Sequence, residues 1–180
     1  VKQIENKVFG VFDVDEEINP GFVTRALAWI RDGQEVVQGR AVPEPEGFFE
    51  SLVFFEQYLA HLNFQLVYLL TGYRLAGSRT TIMKKSVWEK TGGYNDQVLT
   101  EDYHFSFKCY RKHIDVAPMM SYPSKIEAAH NLRDWWNQRK RWMAGYLQVF
   151  FTLFLSMNPR RYRDVISVLI SFGSIVGSMM

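Results

Sequence analysis

The sequence has 180 residues, of which 47% are hydrophobic and 16% aromatic, so it is long enough and apolar enough to fold around a core of its own. That composition excludes an intrinsically disordered chain. The net charge of +2 is too small to indicate nucleic-acid binding by itself, and the single cysteine, Cys109, excludes an internal disulfide framework and fits a reducing compartment.

The first element is a short apolar run, 8–12, which ends in two carboxylates, Asp13 and Asp15. An apolar run of this length bounded by polar residues predicts a buried strand. Because a strand sends alternate side chains to one face, both carboxylates can point the same way at its carboxyl end, where open α/β sheets bind ligands. Such a pair suits Mg²⁺ or Mn²⁺ carrying phosphate, although an acidic edge between a strand and a loop fits the same residues.

The rest of the chain alternates between helical and extended patterns. Three helices are predicted to begin at capping residues: Asn19 with Pro20 behind it, Ser86 at the start of a Ser-Val-Trp-Glu capping box, and Asn131. The predicted strands are 8–12, 35–42, 80–83 and 114–119, and the predicted helices are 20–31, 48–70, 86–91, 101–110 and 131–151.

The segment 48–70 is long, apolar and aromatic, and it is nearly long enough to span a bilayer. Glu56, His61 and Gln65 lie in its middle. Because polar groups at that depth are costly in lipid, we expect a buried or interfacial helix here rather than a membrane span.

The C-terminal part of the chain is predicted to approach a membrane. An apolar stretch, 147–157, follows the tryptophan-rich helix directly, as an interfacial helix would, and an arginine cluster precedes the apolar run 165–180. We interpret 165–180 as the start of a truncated transmembrane helix, with a buried C-terminal helix as the alternative. Since the chain also begins in mid-pattern at Val1, we expect a fragment of a longer membrane protein.

A second pair of carboxylates, Glu101 and Asp102, follows Thr100, which can cap the next helix. Acidic residues in a first helical turn are ordinary, because the helix dipole favours them. The alternative is a general base that accepts a proton from a sugar hydroxyl as that hydroxyl attacks. His104, two residues further on, is expected to be a partly exposed helical histidine.

A third cluster lies on the helix that follows Asn131. Gln138, Arg141 and Trp142 stand at i, i+3 and i+4 and so share one helix face, which Gly145 extends. Arginine can bind a diphosphate with two parallel hydrogen bonds, tryptophan offers a flat apolar surface to a sugar ring, and glycine allows a close approach to the helix. The alternative is an interfacial helix whose basic residues face lipid headgroups, which Arg139 fits.

The three clusters occur in a fixed order: Asp13-Val14-Asp15, Thr100-Glu101-Asp102 and the Gln-Arg-Lys-Arg-Trp run at 138–142. This order resembles the Asp-x-Asp, Thr-Glu-Asp and Gln-x-x-Arg-Trp signatures of membrane-bound family 2 glycosyltransferases, the group that contains cellulose, chitin and hyaluronan synthases. The resemblance covers roughly 9–148. Three intervening motifs also resemble that family's pattern: Gly77-Ser78, Met83-Lys84-Lys85 and Gly92-Gly93-Tyr94.

The resemblance implies a glycosyltransferase-A-like α/β fold: a mixed sheet flanked by helices, with its N-terminal part missing, followed by an interfacial helix and the start of a transmembrane helix. The implied domains are 1–146 for the C-terminal part of the catalytic domain, 147–164 for the interfacial helix and basic linker, and 165–180 for the truncated transmembrane segment. The protein would be membrane-bound, with its catalytic part in the cytoplasm.

The same resemblance implies an inverting, metal-dependent transfer of a sugar from a nucleotide-sugar donor, a UDP-sugar, to a growing polysaccharide or glycan. Asp15, assisted by Asp13, would hold a Mg²⁺ or Mn²⁺ ion, and Asp102 would be the catalytic base. The implied substrate-binding residues are Gln138, Arg141, Trp142, Glu101, Gly77 and Ser78.

Other functions stay open beside this one. The Gln-x-x-Arg-Trp motif favours a processive, polymer-making enzyme, but a single addition to a lipid-linked acceptor also fits, as does a catalytically inactive membrane-associated scaffold. Nucleic-acid binding fits poorly, because the basic patch at 139–141 is short. The resemblance implies that the family's first strand and the acid that would contact the nucleobase lie upstream of Val1, so we expect the 180 residues alone to be inactive.

Overall fold

The computed structural model describes residues 7–77 and 79–177 of the chain. Over these residues the chain forms a mixed sheet with helices on both faces, which confirms the predicted α/β architecture and is consistent with a glycosyltransferase-A-like fold. The elements in chain order are β1 (Val8–Val11), α1 (Pro20–Arg31), β2 (Val36–Pro43), α2 (Phe48–Thr71), β3 (Thr81–Lys84), α3 (Lys85–Thr91), α4 (Glu101–Arg111), β4 (Val116–Ile126), α5 (Leu132–Leu155) and α6 (Tyr162–Gly177).

The sheet has the strand order β1-β3-β2-β4. Strand β3 pairs antiparallel with both of its neighbours, whereas β2 and β4 run parallel. The β2–β4 register shifts between Gly39, which pairs with Met119, and Ala41, which pairs with Ser124. Residues 120–123 therefore bulge out opposite Arg40, and the strand predicted at 114–119 continues beyond this bulge to Ile126.

Alternate side chains of β2 enter two separate apolar cores, one on each face of the sheet, as the two-residue period of a strand requires. Val37 lies in the core beneath α1, and Val36 lies in the core beneath α3 and α4. The buried members of the first core are Phe22, Ala26, Ile30, Val37, Ile82 and Met119. The buried members of the second core are Val36, Ala76, Met83, Val87, Phe105, Cys109, Ile114 and Val116.

The predicted helix caps are confirmed where the cap is local. The Asn19 side chain accepts from the N–H of Gly21 at 3.0 Å, and the Asn131 side chain accepts from the N–H of Asp134 at 3.0 Å. The capping box at Ser86 is wrong, because β3 passes directly into α3 and the cap position falls on Lys84, which makes no side-chain capping bond.

Much of the apolar surface of helix α2 is exposed. Glu50 and Val53 are its buried residues. Its exposed leucines are Leu52, Leu59, Leu62, Leu66, Leu69 and Leu70. Among the residues that the structure describes, no helix is both long enough and apolar enough to cross a membrane.

The C-terminal helices pack on α4. Helix α5 runs unbroken through position 146, where a domain boundary is predicted, and Val149 and Leu153 enter a third core with Tyr103 and Phe107. The predicted start of a transmembrane helix at 165–180 coincides largely with α6, whose buried Asp164 forms an ion pair with Arg111 of α4 at 3.3 Å. The domain boundaries and the transmembrane assignment stay predictions.

Candidate active site

The three sequence clusters line a single cleft with a volume of about 560 Å³. The carboxyl end of β1, the start of α4 and one face of α5 meet there, and α2 also forms part of the wall. Ser78 lies outside the described residues. The other predicted site residues that line the cleft are Asp13, Asp15, Gly77, Glu101, Asp102, Gln138, Arg141 and Trp142.

Asp13 and Asp15 lie in an exposed turn directly after β1, closed by a hydrogen bond from the Glu16 N–H to the Asp13 carbonyl at 3.3 Å. Oδ2 of Asp13 forms an ion pair with Nη2 of Arg79 at 3.1 Å. Glu16 anchors the turn to the neighbouring loop, because its carboxylate accepts from both the N–H (3.2 Å) and the hydroxyl of Thr80. Burial raises the pKa of Glu16 above its ordinary value.

The turn offers the hard carboxylate oxygens that Mg²⁺ and Mn²⁺ prefer. Within residues 7–77 and 79–177, no three aspartate, glutamate, histidine or cysteine side chains converge to form a metal site. Protein-bound Mg²⁺ is commonly held by one or two carboxylates together with substrate phosphates and water. Asp13 and Asp15 therefore fit a cation that binds together with a diphosphate.

Asp102 lies in the first turn of α4, and its Oδ1 accepts from the backbone N–H of Tyr103 at 2.7 Å. The second carboxylate oxygen has no hydrogen bond within the described part of the chain. Ser106 donates to the Asp102 carbonyl at 2.8 Å and accepts from the N–H of Ala76 at 2.7 Å, which fixes the start of α4 against the loop before β3. The base candidate is thus rigidly placed on the cleft wall with one oxygen available.

Thr100 precedes α4 but makes no capping bond with its side chain. It packs instead against Gly145 of α5, where a Cβ atom would lie 2.4 Å from the Thr100 Cγ2 atom. The N–H of Leu99 also donates to Oε1 of Gln148 at 2.9 Å. The glycine predicted to allow a close approach therefore lets the second and third clusters dock on each other.

Gly77 has a positive φ of 76°, and a Cβ there would lie 2.6 Å from Cδ1 of Phe105. Its carbonyl accepts from the hydroxyl of Tyr94, so the residues that resemble a family pattern at 77 and 92–94 form one packed unit. Burial, and then the negative charge of Asp102, raise the pKa of Tyr94 well above its ordinary value. Gly77 thus has a structural reason to be glycine besides its place on the cleft wall.

The headgroup interpretation predicts that Arg139 faces outward, but in the structure it does not. Its Nη2 atom donates to Oε2 of Glu56 in α2 at 2.7 Å, and the same oxygen accepts from Nε1 of Trp135 at 2.8 Å. The guanidinium lies over the Trp142 ring at 4.1 Å and its side chain is only 11% exposed. Arg139 and Trp142 stand at i and i+3, so they are neighbours on the helix surface and the guanidinium reaches the ring.

His104 is also more enclosed than predicted. It is 7% exposed, and its Nδ1 has no hydrogen-bond partner within the described residues. Burial lowers the pKa of His104 to about 4, helped by the positive charges of Lys108 and Arg111.

The sequence model of the family described as "Glycosyl transferase family group 2" matches residues 9–179. The chain belongs to this family. A search of curated proteins found no match. Family membership confirms the coarser part of the resemblance, a family 2 glycosyltransferase domain, and supports glycosyl transfer from a nucleotide-sugar donor to an acceptor. The closer likeness to cellulose, chitin and hyaluronan synthases stays a prediction.

Sequence patterns did not identify three residues in or near the cleft of this glycosyltransferase domain: Glu16, Glu56 and Arg79. Glu16 directly follows the carboxylate pair, and its position in an acidic run was the one local signal. Arg79 and Glu56 act through partners 66 and 83 residues away in the chain, at Asp13 and Arg139, so no spacing rule could identify them.

Proposed function

We propose that the protein is an inverting, metal-dependent glycosyltransferase that moves a sugar from a nucleotide-sugar donor, a UDP-sugar, to a growing polysaccharide or glycan. The observation that carries this proposal is the shared cleft: an exposed carboxylate pair, a carboxylate with one available oxygen, and a face with arginine and tryptophan all line it. These are the groups that a displacement at a sugar carbon needs on its two sides.

On the donor side, the diphosphate leaving group must have its charge neutralised. A Mg²⁺ or Mn²⁺ ion held by Asp15 and Asp13 would supply part of that positive charge. Arg141 supplies more, since its exposed guanidinium has no ion pair or hydrogen bond among the residues that the structure describes. A cation on Asp13 and Asp15 at the turn, together with Arg141 on α5, would hold the diphosphate between them.

On the acceptor side, the Trp142 ring offers a flat surface to a sugar, and Gln138 orients it. Oε1 of Gln138 is buried without a hydrogen-bond partner in the described part of the chain, so a sugar hydroxyl can donate to it. Asp102 accepts the proton of the attacking hydroxyl while the oxygen of that hydroxyl bonds to the anomeric carbon. The nucleoside diphosphate leaves on the opposite side with the electrons of the broken bond, which inverts the configuration.

The test is a donor screen on the full-length protein with Mg²⁺ or Mn²⁺, measuring released nucleoside diphosphate. Asp102→Asn should lower the transfer rate by about 10²- to 10⁴-fold, the usual contribution of a general base. Asp134→Asn is the matched control, because Asp134 is another first-turn acid, at the start of α5 and outside the cleft lining. Near wild-type transfer by Asp102→Asn would contradict the assignment, and no turnover with any donor would favour the inactive scaffold.

A single addition to a lipid-linked acceptor is the second candidate, favoured by the exposed leucines of α2, a helix whose other side chains, among them Tyr58 and Phe64, line the same cleft. The chain length of the product separates the two candidates.

We also propose that the protein works at the cytoplasmic surface of a membrane, with α2 against the lipid. Vesicle flotation tests this, because Leu66→Glu on the exposed side of α2 should weaken membrane binding.

A further inference from the structure

Arg79 occupies an unusual place in the cleft, because its partner is one of the carboxylates proposed to bind the cation. Nη2 of Arg79 lies 3.1 Å from Oδ2 of Asp13, and both residues line the cleft. The two side chains keep 26% and 45% of their surface exposed. Any divalent cation that takes Oδ2 of Asp13 must therefore compete with the Arg79 guanidinium for that oxygen.

The backbone around Arg79 is held firmly, so the ion pair is a built feature of this loop. The Arg79 carbonyl accepts from Nε2 of Gln38 on β2 at 2.8 Å. The next residue, Thr80, has a φ of 54° and donates its N–H to Glu16 at 3.2 Å. Glu16 belongs to the same turn as Asp13, so the start of the Arg79 side chain stays close to the carboxylate pair whatever the guanidinium contacts.

Another cleft arginine, Arg74, is differently engaged. Its Nη1 atom donates to the Val116 carbonyl at 3.2 Å, and its guanidinium lies 3.6 Å over the Tyr68 ring. Both contacts are to uncharged groups, so a bound cation would leave them unchanged. Arg79 differs because a cation bound to Asp13 would compensate the negative charge that holds the guanidinium.

We propose that Arg79 is a diphosphate-binding residue that exchanges partners. Asp13 holds the guanidinium next to the turn, and when a cation and a diphosphate bind together, the cation takes Asp13 and Arg79 transfers to the diphosphate oxygens. A guanidinium suits this exchange, because it forms two parallel hydrogen bonds to phosphate as readily as to a carboxylate. The inference rests on the proposed function, since it needs a diphosphate bound at the turn.

The exchange predicts effects of opposite sign for one substitution. In the full-length protein, Arg79→Gln frees Asp13, so Mn²⁺ alone, followed by electron paramagnetic resonance, should bind about two- to fivefold more tightly. The same variant should bind inorganic pyrophosphate in saturating Mg²⁺ about tenfold more weakly by calorimetry, because a charge-assisted contact is lost. In an Asp13→Asn background, Arg79→Gln should no longer tighten Mn²⁺ binding.

Two further variants make the result interpretable. Arg25→Gln removes one positive charge from the exposed side of α1 and should change neither affinity. Arg79→Lys keeps the charge but loses the planar fork, so it should bind Mn²⁺ like the wild type and pyrophosphate about threefold more weakly. If Arg79→Gln does not fold, as judged by circular dichroism, the lysine variant provides the test.

The outcomes separate this inference from the function on which it rests. If the wild type binds pyrophosphate with Mg²⁺ but Arg79→Gln changes neither affinity, or changes both in the same direction, the role of Arg79 is wrong and the donor site stands. If the wild type binds neither Mn²⁺ nor pyrophosphate, the proposed donor site and the role of Arg79 both fall.

Discussion

Replacing Gly145 by alanine tests whether the second and third clusters depend on each other. A Cβ at this position would lie 2.4 Å from Cγ2, 2.5 Å from Oγ1 and 2.9 Å from Cβ of Thr100. Carbon atoms in contact prefer a separation of about 3.5–4.0 Å, so Thr100 and α5 must move apart by about 1 Å. Thr100 is 7% exposed and has a short branched side chain, so it cannot rotate out of the way.

Two opposing effects set the change in stability. Overpacking of this kind costs about 1–3 kcal/mol, whereas alanine in a helix interior is favoured over glycine by about 1 kcal/mol. The free energy of unfolding should thus fall by no more than about 2 kcal/mol. Activity should suffer far more, because a displacement of about 1 Å between Asp102 and Trp142 can lower a catalytic rate about 10²-fold.

The assay is the initial rate of nucleoside diphosphate release by the full-length protein, beside chemical denaturation of the same samples. Gly173→Ala in α6 is the matched control, because a Cβ there would meet nothing within 4 Å. It should raise stability by up to about 1 kcal/mol and leave the rate unchanged. Adding Thr100→Gly to Gly145→Ala removes the clash and should restore much of the rate. Wild-type activity in Gly145→Ala, or no recovery in the double variant, would refute the reasoning.

Two more predictions concern buried charge. Glu56→Gln should lower the free energy of unfolding by about 1–2 kcal/mol and change the tryptophan emission, because it leaves the Arg139 guanidinium, which is 11% exposed, without its carboxylate. The control, Glu89→Gln, breaks an ion pair of 3.7 Å with Lys85 in which the glutamate is 63% exposed, and it should cost under about 0.5 kcal/mol. Equal losses in the two variants would count against a role for burial. His104 has its pKa lowered to about 4 in the fold, so the unfolded chain takes up its proton first as the pH falls below about 6.5. Stability should then drop by about 2 kcal/mol between pH 7.5 and pH 5 from this residue, and a His104→Gln variant that shows the same drop in urea denaturation would contradict the burial argument.

Local signals in the sequence predicted much of the fold. The caps at Asn19 and Asn131 are confirmed because a cap depends on a few neighbouring residues. The capping box at Ser86 failed because the direct passage from β3 into α3 moved the cap two residues back to Lys84, and strand pairing sets where β3 ends. The expected exposure of Arg139 and His104 failed for a related reason, since burial depends on which other helix packs there.

The sequence by itself determined the alternation of strands and helices, the three polar clusters and the resemblance to family 2 glycosyltransferases. These follow from residue types at fixed spacing, which survive any arrangement of the elements. Only the tertiary structure decided that Asp13, Asp102 and Trp142 line one cleft, that Thr100 rests on Gly145, and that Arg79 holds Asp13. Such contacts join residues far apart in the chain, and it is the order of strands in the sheet and the packing of helices on it that bring them within a few ångströms.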